Sequence, residues 1–217
     1  MISLSGVSKY YRVAGHRRVV LRDITARFET GTNYGILGIN GAGKSTLMRL
    51  LAGTEQPSTG RIKRDMRVSW PLGFAGGFHR EMTGRENLKF VARAYGEDVR
   101  DVTEFVEDFA ELGDFMDAPI RTYSSGMSAR LAFGLSMAIH FDCYLIDELT
   151  AVGDARFAAK CHEVFGKRRE VCDIIMISHS METLRDYCSK GAVVADGNVI
   201  FFDNIDDAVE LYRRMNF

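Results

Sequence analysis

Gly38-Ile39-Asn40-Gly41-Ala42-Gly43-Lys44-Ser45-Thr46 decides the reading of this chain. It fits G-x-x-x-x-G-K-[ST], a pattern that arises by chance in on the order of one chain in a hundred of average composition. Its surroundings fit too. Tyr34-Gly35-Ile36-Leu37 before it is a short apolar strand, and Leu47, Leu50 and Leu51 after it share one helical face that stops at Gly53. A glycine loop between strand and helix turns backbone N–H groups inward around phosphate oxygens, and the helix N-terminus adds partial positive charge. Lys44 is expected to reach the β- and γ-phosphates and the Ser45 hydroxyl to ligate Mg²⁺, so Gly38 to Thr46 predicts nucleotide binding.

Around this loop, Ile2 and Leu4, then Ile24, Ala26 and Phe28, alternate with polar residues, which predicts an antiparallel β subdomain over residues 1–33 with an Arg-rich turn at Arg12 to Arg18. From Thr83 the period becomes helical. Thr83 and Glu86 make a capping box before a face of Leu88, Val91 and Tyr95, and a second helix groups Val102, Phe105, Val106, Phe109 and Leu112. A third, with Leu131, Leu135 and Ala138, follows Ser124-Ser125-Gly126. Beyond it strands and helices alternate: Cys143 to Ile146, a helix with Phe157, Cys161, Val164 and Phe165, Ile174 to Ile177, a helix with Met181, Leu184 and Tyr187, and a hairpin at Asp196-Gly197. The expected fold is α/β: a core with a mostly parallel sheet over 34–75 and 127–217, carrying a helical insertion at 76–126, all in one domain of 217 residues.

Composition narrows the function. With 28 Lys plus Arg against 29 Asp plus Glu, the chain lacks the basic excess of a sequence-independent nucleic-acid binder. Cys143, Cys161, Cys172 and Cys188 form no CxxC pair, as expected of reduced thiols in a cytosolic fold. The apolar run Leu131 to Ile146 contains His140 and Asp142 and is too short to span a bilayer.

Cys143-Tyr144-Leu145-Ile146 leads into Asp147-Glu148. Side chains alternate along a strand, so adjacent acids at its end can serve different roles: Asp147 is expected to hold the Mg²⁺ shell and Glu148 to orient and deprotonate the attacking water. No N-K-x-D motif reads a guanine. Tyr123-Ser124-Ser125-Gly126-Met127 places a hydroxyl at a helix N-terminus, which alone is an ordinary N-cap and in this company a second anion-binding end.

With these elements in this order, the sequence resembles the ABC-type ATPase family, whose diagnostic turn usually reads Leu-Ser-Gly-Gly-Gln; here Ser125 replaces the first Gly and Met127 the Gln. The resemblance implies that Tyr11 stacks on adenine, that His179 senses the γ-phosphate, and that Asp154 in Gly153-Asp154 communicates across a dimer. Where the family carries a Gln touching metal and water, Gly76-Gly77-Phe78-His79-Arg80 offers His79. The similarity is greatest to ATPase subunits of bacterial capsular-polysaccharide exporters, through Ser69-Trp70-Pro71-Leu72, Thr83-Gly84-Arg85-Glu86-Asn87, Tyr123 to Met127 and Ala151-Val152-Gly153-Asp154-Ala155-Arg156-Phe157. O-antigen exporter ATPases are similar but commonly add a C-terminal sugar-binding domain, for which a chain ending at Phe217 is expected to have no room.

The resemblance implies a homodimer closing head to tail on two ATP with Mg²⁺, each site completed in trans by Ser124, Ser125 and Gly126. A membrane permease is expected to dock near Gly73–Arg80, with the chain on the cytoplasmic face of the bacterial inner membrane and no nucleic acid involved. The expected function is ATP-driven export of lipid-linked capsular polysaccharide; O-antigen, teichoic acid or another cargo is the alternative. A DNA-repair or translation protein of this family would need a coiled-coil insertion or tandem domains. A non-catalytic module would be expected to lack Lys44 or Glu148.

Overall fold

The computed structural model describes residues 1–13, 15–72, 77–147 and 155–216. They form two compact units: Met1–Pro71 with Phe141–Leu149 and Cys172–Phe217, and Leu72–His140 with Thr150–Val171.

In the first unit, β1 (Ile2–Val13) pairs antiparallel with β2 (His16–Phe28), and β3 (Tyr34–Leu37) leads to α1 (Lys44–Ala52). β4 (Thr59–Arg64) returns to the far edge of β1, so the small sheet has the order β2-β1-β4. The antiparallel subdomain therefore extends beyond residues 1–33. Thr59–Arg64 exposes most of its side chains and lacks a run of apolar alternation, which is why it does not announce itself as a strand. The expected Arg-rich turn is corrected as well. Tyr11 lies opposite Arg18 and Arg12 opposite Arg17 in paired strand, and the reversal falls between Val13 and His16.

The larger sheet adds β5 (Val68–Pro71), β6 (Cys143–Asp147), β7 (Asp173–Ile177), β8 (Lys190–Ala195) and β9 (Asn198–Phe202) in the order β5-β6-β7-β3-β8-β9. All neighbours are parallel except β8 and β9, whose hairpin turns at Asp196 (φ 47°) and Gly197 (φ 80°), the left-handed pair that a tight two-residue turn requires. Pro71 brings no N–H to the sheet. At this edge the Ser69 hydroxyl accepts from the Leu145 N–H at 2.9 Å, which gives that amide a partner. α6 (Met181–Tyr187) and α7 (Ile205–Asn216) complete the unit. α7 lies so close to the sheet that a Cβ on Gly35 would sit 2.7 Å from Ile205 Cδ1.

The core joins both sheets across α1: Ile2, Leu4, Leu21 and Phe28 meet Leu47, Leu50 and Leu51, with Ile36, Leu145 and Ile177 beneath. Arg64, from β4, donates to the Leu50 and Leu51 carbonyls at the open end of α1, where a cation also suits the helix dipole.

The second unit is helical: α2 (Gly84–Tyr95), α3 (Val99–Ala110), two 3₁₀ turns (Gly113–Asp117 and Ile120–Thr122), α4 (Ser125–Ala138) and α5 (Ala155–Arg168). α4 and α5 thus group with the helical insertion, whereas the sequence placed both with the core. Aromatic packing supplies the reason. Phe109 of α3 stacks on Phe133 of α4 with centroids 5.8 Å apart and meets Phe157 of α5 edge-on at 5.2 Å. The face expected on α2 also shifts. Gly84, Asn87, Leu88 and Ala92 are buried and Tyr95 is exposed, because Asn87 turns inward as a hydrogen-bonding strut.

Candidate functional site

At the C-terminal end of β3 the chain enters the Gly38–Thr46 loop. Gly38 has φ 151°, and a Cβ there would run into the Val194 carbonyl of the neighbouring strand, so the loop leaves the sheet at a point only glycine fits. Gly41 (φ 81°) opens onto free space, and Gly43 (φ 112°) begins α1 with no side chain to cap the helix. Inside the loop, Lys44 Nζ donates to the Gly38 carbonyl at 2.6 Å and to the Ile39 carbonyl at 3.1 Å. Two carbonyl oxygens of the loop thus hold the ammonium within it.

A cavity of about 480 Å³ opens over this loop. Asn40, Gly41, Gly43, Lys44, Ser45 and Thr46 line it together with Tyr11 and Val13 of β1, Arg18 and Val20 of β2, Asp147 at the end of β6, and Ile177 and His179 at the end of β7. The volume lies within the usual range for small-ligand sites, and the end of parallel strands is where such sheets bind ligands. Gly38 and Ala42 shape the loop without being part of that lining. Ser45 is exposed and Asp147 half-buried. A hydroxyl and a carboxylate on one cavity are the hard oxygen donors that Mg²⁺ takes beside phosphate oxygens. Among the described residues no group of three or more His, Cys, Asp or Glu could hold a metal.

Tyr11 is half-buried, and its place is set by polar partners that the sequence did not reveal. Its hydroxyl donates to Glu55 Oε1 at 2.7 Å, and Lys9 Nζ and Arg49 Nε pair with the same carboxylate at 2.9 and 3.0 Å. Burial alone would raise the Glu55 carboxyl, but hydrogen bonds from Lys9, Tyr11 and Arg49 outweigh it and hold the pKa down to about 2. Arg49 also donates to Thr46 Oγ1 at 3.2 Å.

Ser124, Ser125, Gly126 and His79 belong to the second unit. Ser124 is the N-cap of α4 and accepts from the Met127 N–H at 3.2 Å; Ser124 and Ser125 are exposed. Behind this turn, Tyr123 Oη donates to the Phe115 carbonyl at 2.5 Å, and a Cβ on Gly84 would collide with that hydroxyl. Arg85 clasps Asp117 at 2.8 Å and also pairs with Glu107. Gly84 thus packs against Tyr123, which links the Thr83–Asn87 and Tyr123–Met127 motifs, a contact that neither shows alone. Asn87 Oδ1 accepts from the His79 N–H at 2.8 Å, and its amide returns a bond to the His79 carbonyl. Glu148, Gly153, Asp154 and the Gly73–Gly76 part of the expected docking loop lie outside the described residues.

A phosphate loop, an acidic strand end, a histidine after the next strand and a separate helical unit with a serine-capped turn define an ATP-binding-cassette architecture. The sequence model of the ABC transporter family matches residues 21–151, and the chain belongs to that family. It is 50% identical to the capsule polysaccharide export ATP-binding protein CtrD of Neisseria meningitidis serogroup B, over 99% of this chain and 100% of that one. It is 46% identical to the polysialic acid transport ATP-binding protein KpsT of Escherichia coli, over 99% of each chain. Its fold is that of the ATP-binding cassette MJ0796, solved as a dimer in a post-hydrolysis state with ADP and Pi, with TM-score 0.73 and 19% identity over 92% of this chain and 96% of that one.

Proposed function

We propose that this chain is the ATP-hydrolysing subunit of an exporter of capsular polysaccharide. The observation that most supports this is identity of 50% along the full length of a capsule-export ATP-binding protein, in a chain whose Gly38–Thr46 loop, Asp147 and His179 line one cavity. Among the described residues no helix is long and apolar enough to cross a membrane. In this reading the cargo path would belong to a separate membrane subunit. That partner would receive the Gly73–Arg80 loop, with this chain on the cytoplasmic face of the inner membrane.

In this reading ATP enters with its phosphates against the Gly38–Thr46 backbone and Lys44, and its base against Tyr11. Mg²⁺, held by Ser45 and Asp147, would neutralise phosphate charge. Glu148 takes the proton of the attacking water, His179 contacts the γ-phosphate, and Asp154 links the two sites. Ser124, Ser125 and Gly126 of a second copy donate to the same γ-phosphate and exclude water, so binding closes the dimer and hydrolysis reopens it. His79 stands where the family has a Gln that touches metal and water.

Deletion of the chain tests the reading. Lipid-linked polymer should accumulate inside the cell while surface capsule disappears, and the wild-type chain but not Lys44→Ala should restore export. Normal surface capsule in the deletion strain would contradict it, and accumulation of a different glycolipid would reassign the cargo.

A further inference from the structure

Glu55 touches neither loop nor cavity, yet its carboxylate gathers three side chains from two elements: Lys9 and Tyr11 of β1, and Arg49 of α1. Lys9 Nζ is also 5.3 Å from the Tyr11 ring centroid and donates to the Gln56 carbonyl at 2.8 Å. Arg49 continues the chain of contacts to Tyr11 Oη at 3.4 Å and to Thr46 Oγ1 at 3.2 Å. Thr46 is 6% exposed and closes the phosphate loop. Both ends of this network, Tyr11 and Thr46, therefore line the cavity, while its hub Glu55 is not part of that lining.

We infer that Glu55 and Arg49 are positioning residues that fix the Tyr11 ring for the nucleotide base and tie it to the phosphate loop. The proposal rests on the reading of Tyr11 as the base-stacking residue. A tyrosine on an edge of the cavity has two free side-chain torsions. Binding a base to it costs rotamer freedom unless the ring is held beforehand. The hydroxyl bond to an ionised carboxylate holds it, and that carboxylate stays ionised because two cations flank it. The phosphates do not use the Tyr11 ring, since in this reading the glycine loop and Lys44 receive them. Glu55 should thus act on ligands that carry a base and not on phosphates alone.

The test measures equilibrium binding of Mg-ATP and of inorganic tripolyphosphate to the full chain, for the wild type, Glu55→Ala, Tyr11→Phe, their double variant and Tyr11→Ala. Glu55→Ala and Tyr11→Phe should each weaken ATP by roughly 2- to 12-fold, the scale of one immobilised side chain. Tripolyphosphate should bind all the variants alike, and the double variant should lose no more than either single one. Equal losses for ATP and tripolyphosphate in Glu55→Ala would mean general damage to the loop and would overturn the proposal. So would simple additivity in the double variant. If Tyr11→Ala weakens ATP while Glu55→Ala and Tyr11→Phe do not, the positioning role fails and base stacking stands. If Tyr11→Ala binds ATP as the wild type does, the stacking reading itself fails.

Discussion

The N-termini of α1 and α4 are alike in charge and opposite in capping. Neither helix has an acid in its first turn, a feature they share with α5, whereas α2, α3, α6 and α7 each have one. An acid there would repel a phosphate, and neither end carries one. At α1 the capping residue is Gly43, in left-handed backbone, with no side chain to occupy the amides. At α4 the Ser124 oxygen already accepts from Met127, while its hydroxyl proton remains a donor. One end is built to need a ligand. The other is complete as a helix cap and keeps one hydroxyl donor, the group that the proposed function assigns to a phosphate held by a second chain.

The largest expected effect leaves both ends intact and removes the chemistry. Glu148→Gln should lower ATP turnover by about 10²–10⁴-fold while ATP still binds, the usual scale of a general base. Turnover measured beside binding, in the assembled transporter, checks it, and unchanged turnover would remove Glu148 from that role. Lys44→Ala acts on the α1 end alone. Loss of one charged hydrogen bond to phosphate should weaken Mg-ATP and tripolyphosphate binding together by about 10- to 150-fold, seen by calorimetric titration.

Ser124→Ala probes the α4 end and separates its two duties. Loss of the cap should cost about 0.5–2 kcal/mol of stability in a denaturant titration, without altering ATP affinity of a single chain. ATPase activity of the assembled dimer should fall as the γ-phosphate loses a donor. A loss of single-chain ATP affinity would show that the two ends do not divide the work in this way.

The smallest effect is one of pH. The Glu55 carboxyl is held well below its unfolded value, so the stability it supplies is present above about pH 4.5 and is lost as pH falls toward 2. Thermal midpoints of the wild type and Glu55→Gln should therefore keep a constant difference from pH 7 to 5 and converge below about pH 4. A difference that grows on acidification would contradict the assigned sign.

The contrast between the two helix ends also explains what could be read from sequence. The α1 end is written in contiguous residues, because Gly38, Gly41 and Gly43 all take positive φ, and at Gly38 and Gly43 a Cβ would also clash. The Thr83–Glu86 box and the Asp196–Gly197 turn are legible for the same reason: their geometry is local. The small sheet was half legible, since β4 pairs with β1 from 50 or more residues away and exposes charged side chains. Neither the Glu55 network nor the fit of Gly84 under Tyr123 has a sequence signature, because each joins side chains that spacing alone does not bring together. Buried Asn87 misled the helical pattern in the other direction, as a polar residue on an inward face. At the candidate site, Tyr11, Lys44, Ser45, Asp147 and His179 were named from spacing and resemblance and share one cavity; their polar support was not named.

Two copies of this chain closing over ATP is the claim on which the proposed function turns. Cysteines placed at Ser124 and Asn40 in the Glu148→Gln chain test it most directly, one at the α4 end and one in the phosphate loop. Mg-ATP should raise the yield of Ser124–Asn40 crosslinks between chains well above that seen without nucleotide or with ADP. Crosslinks that form without nucleotide and do not increase with ATP would contradict the composite site.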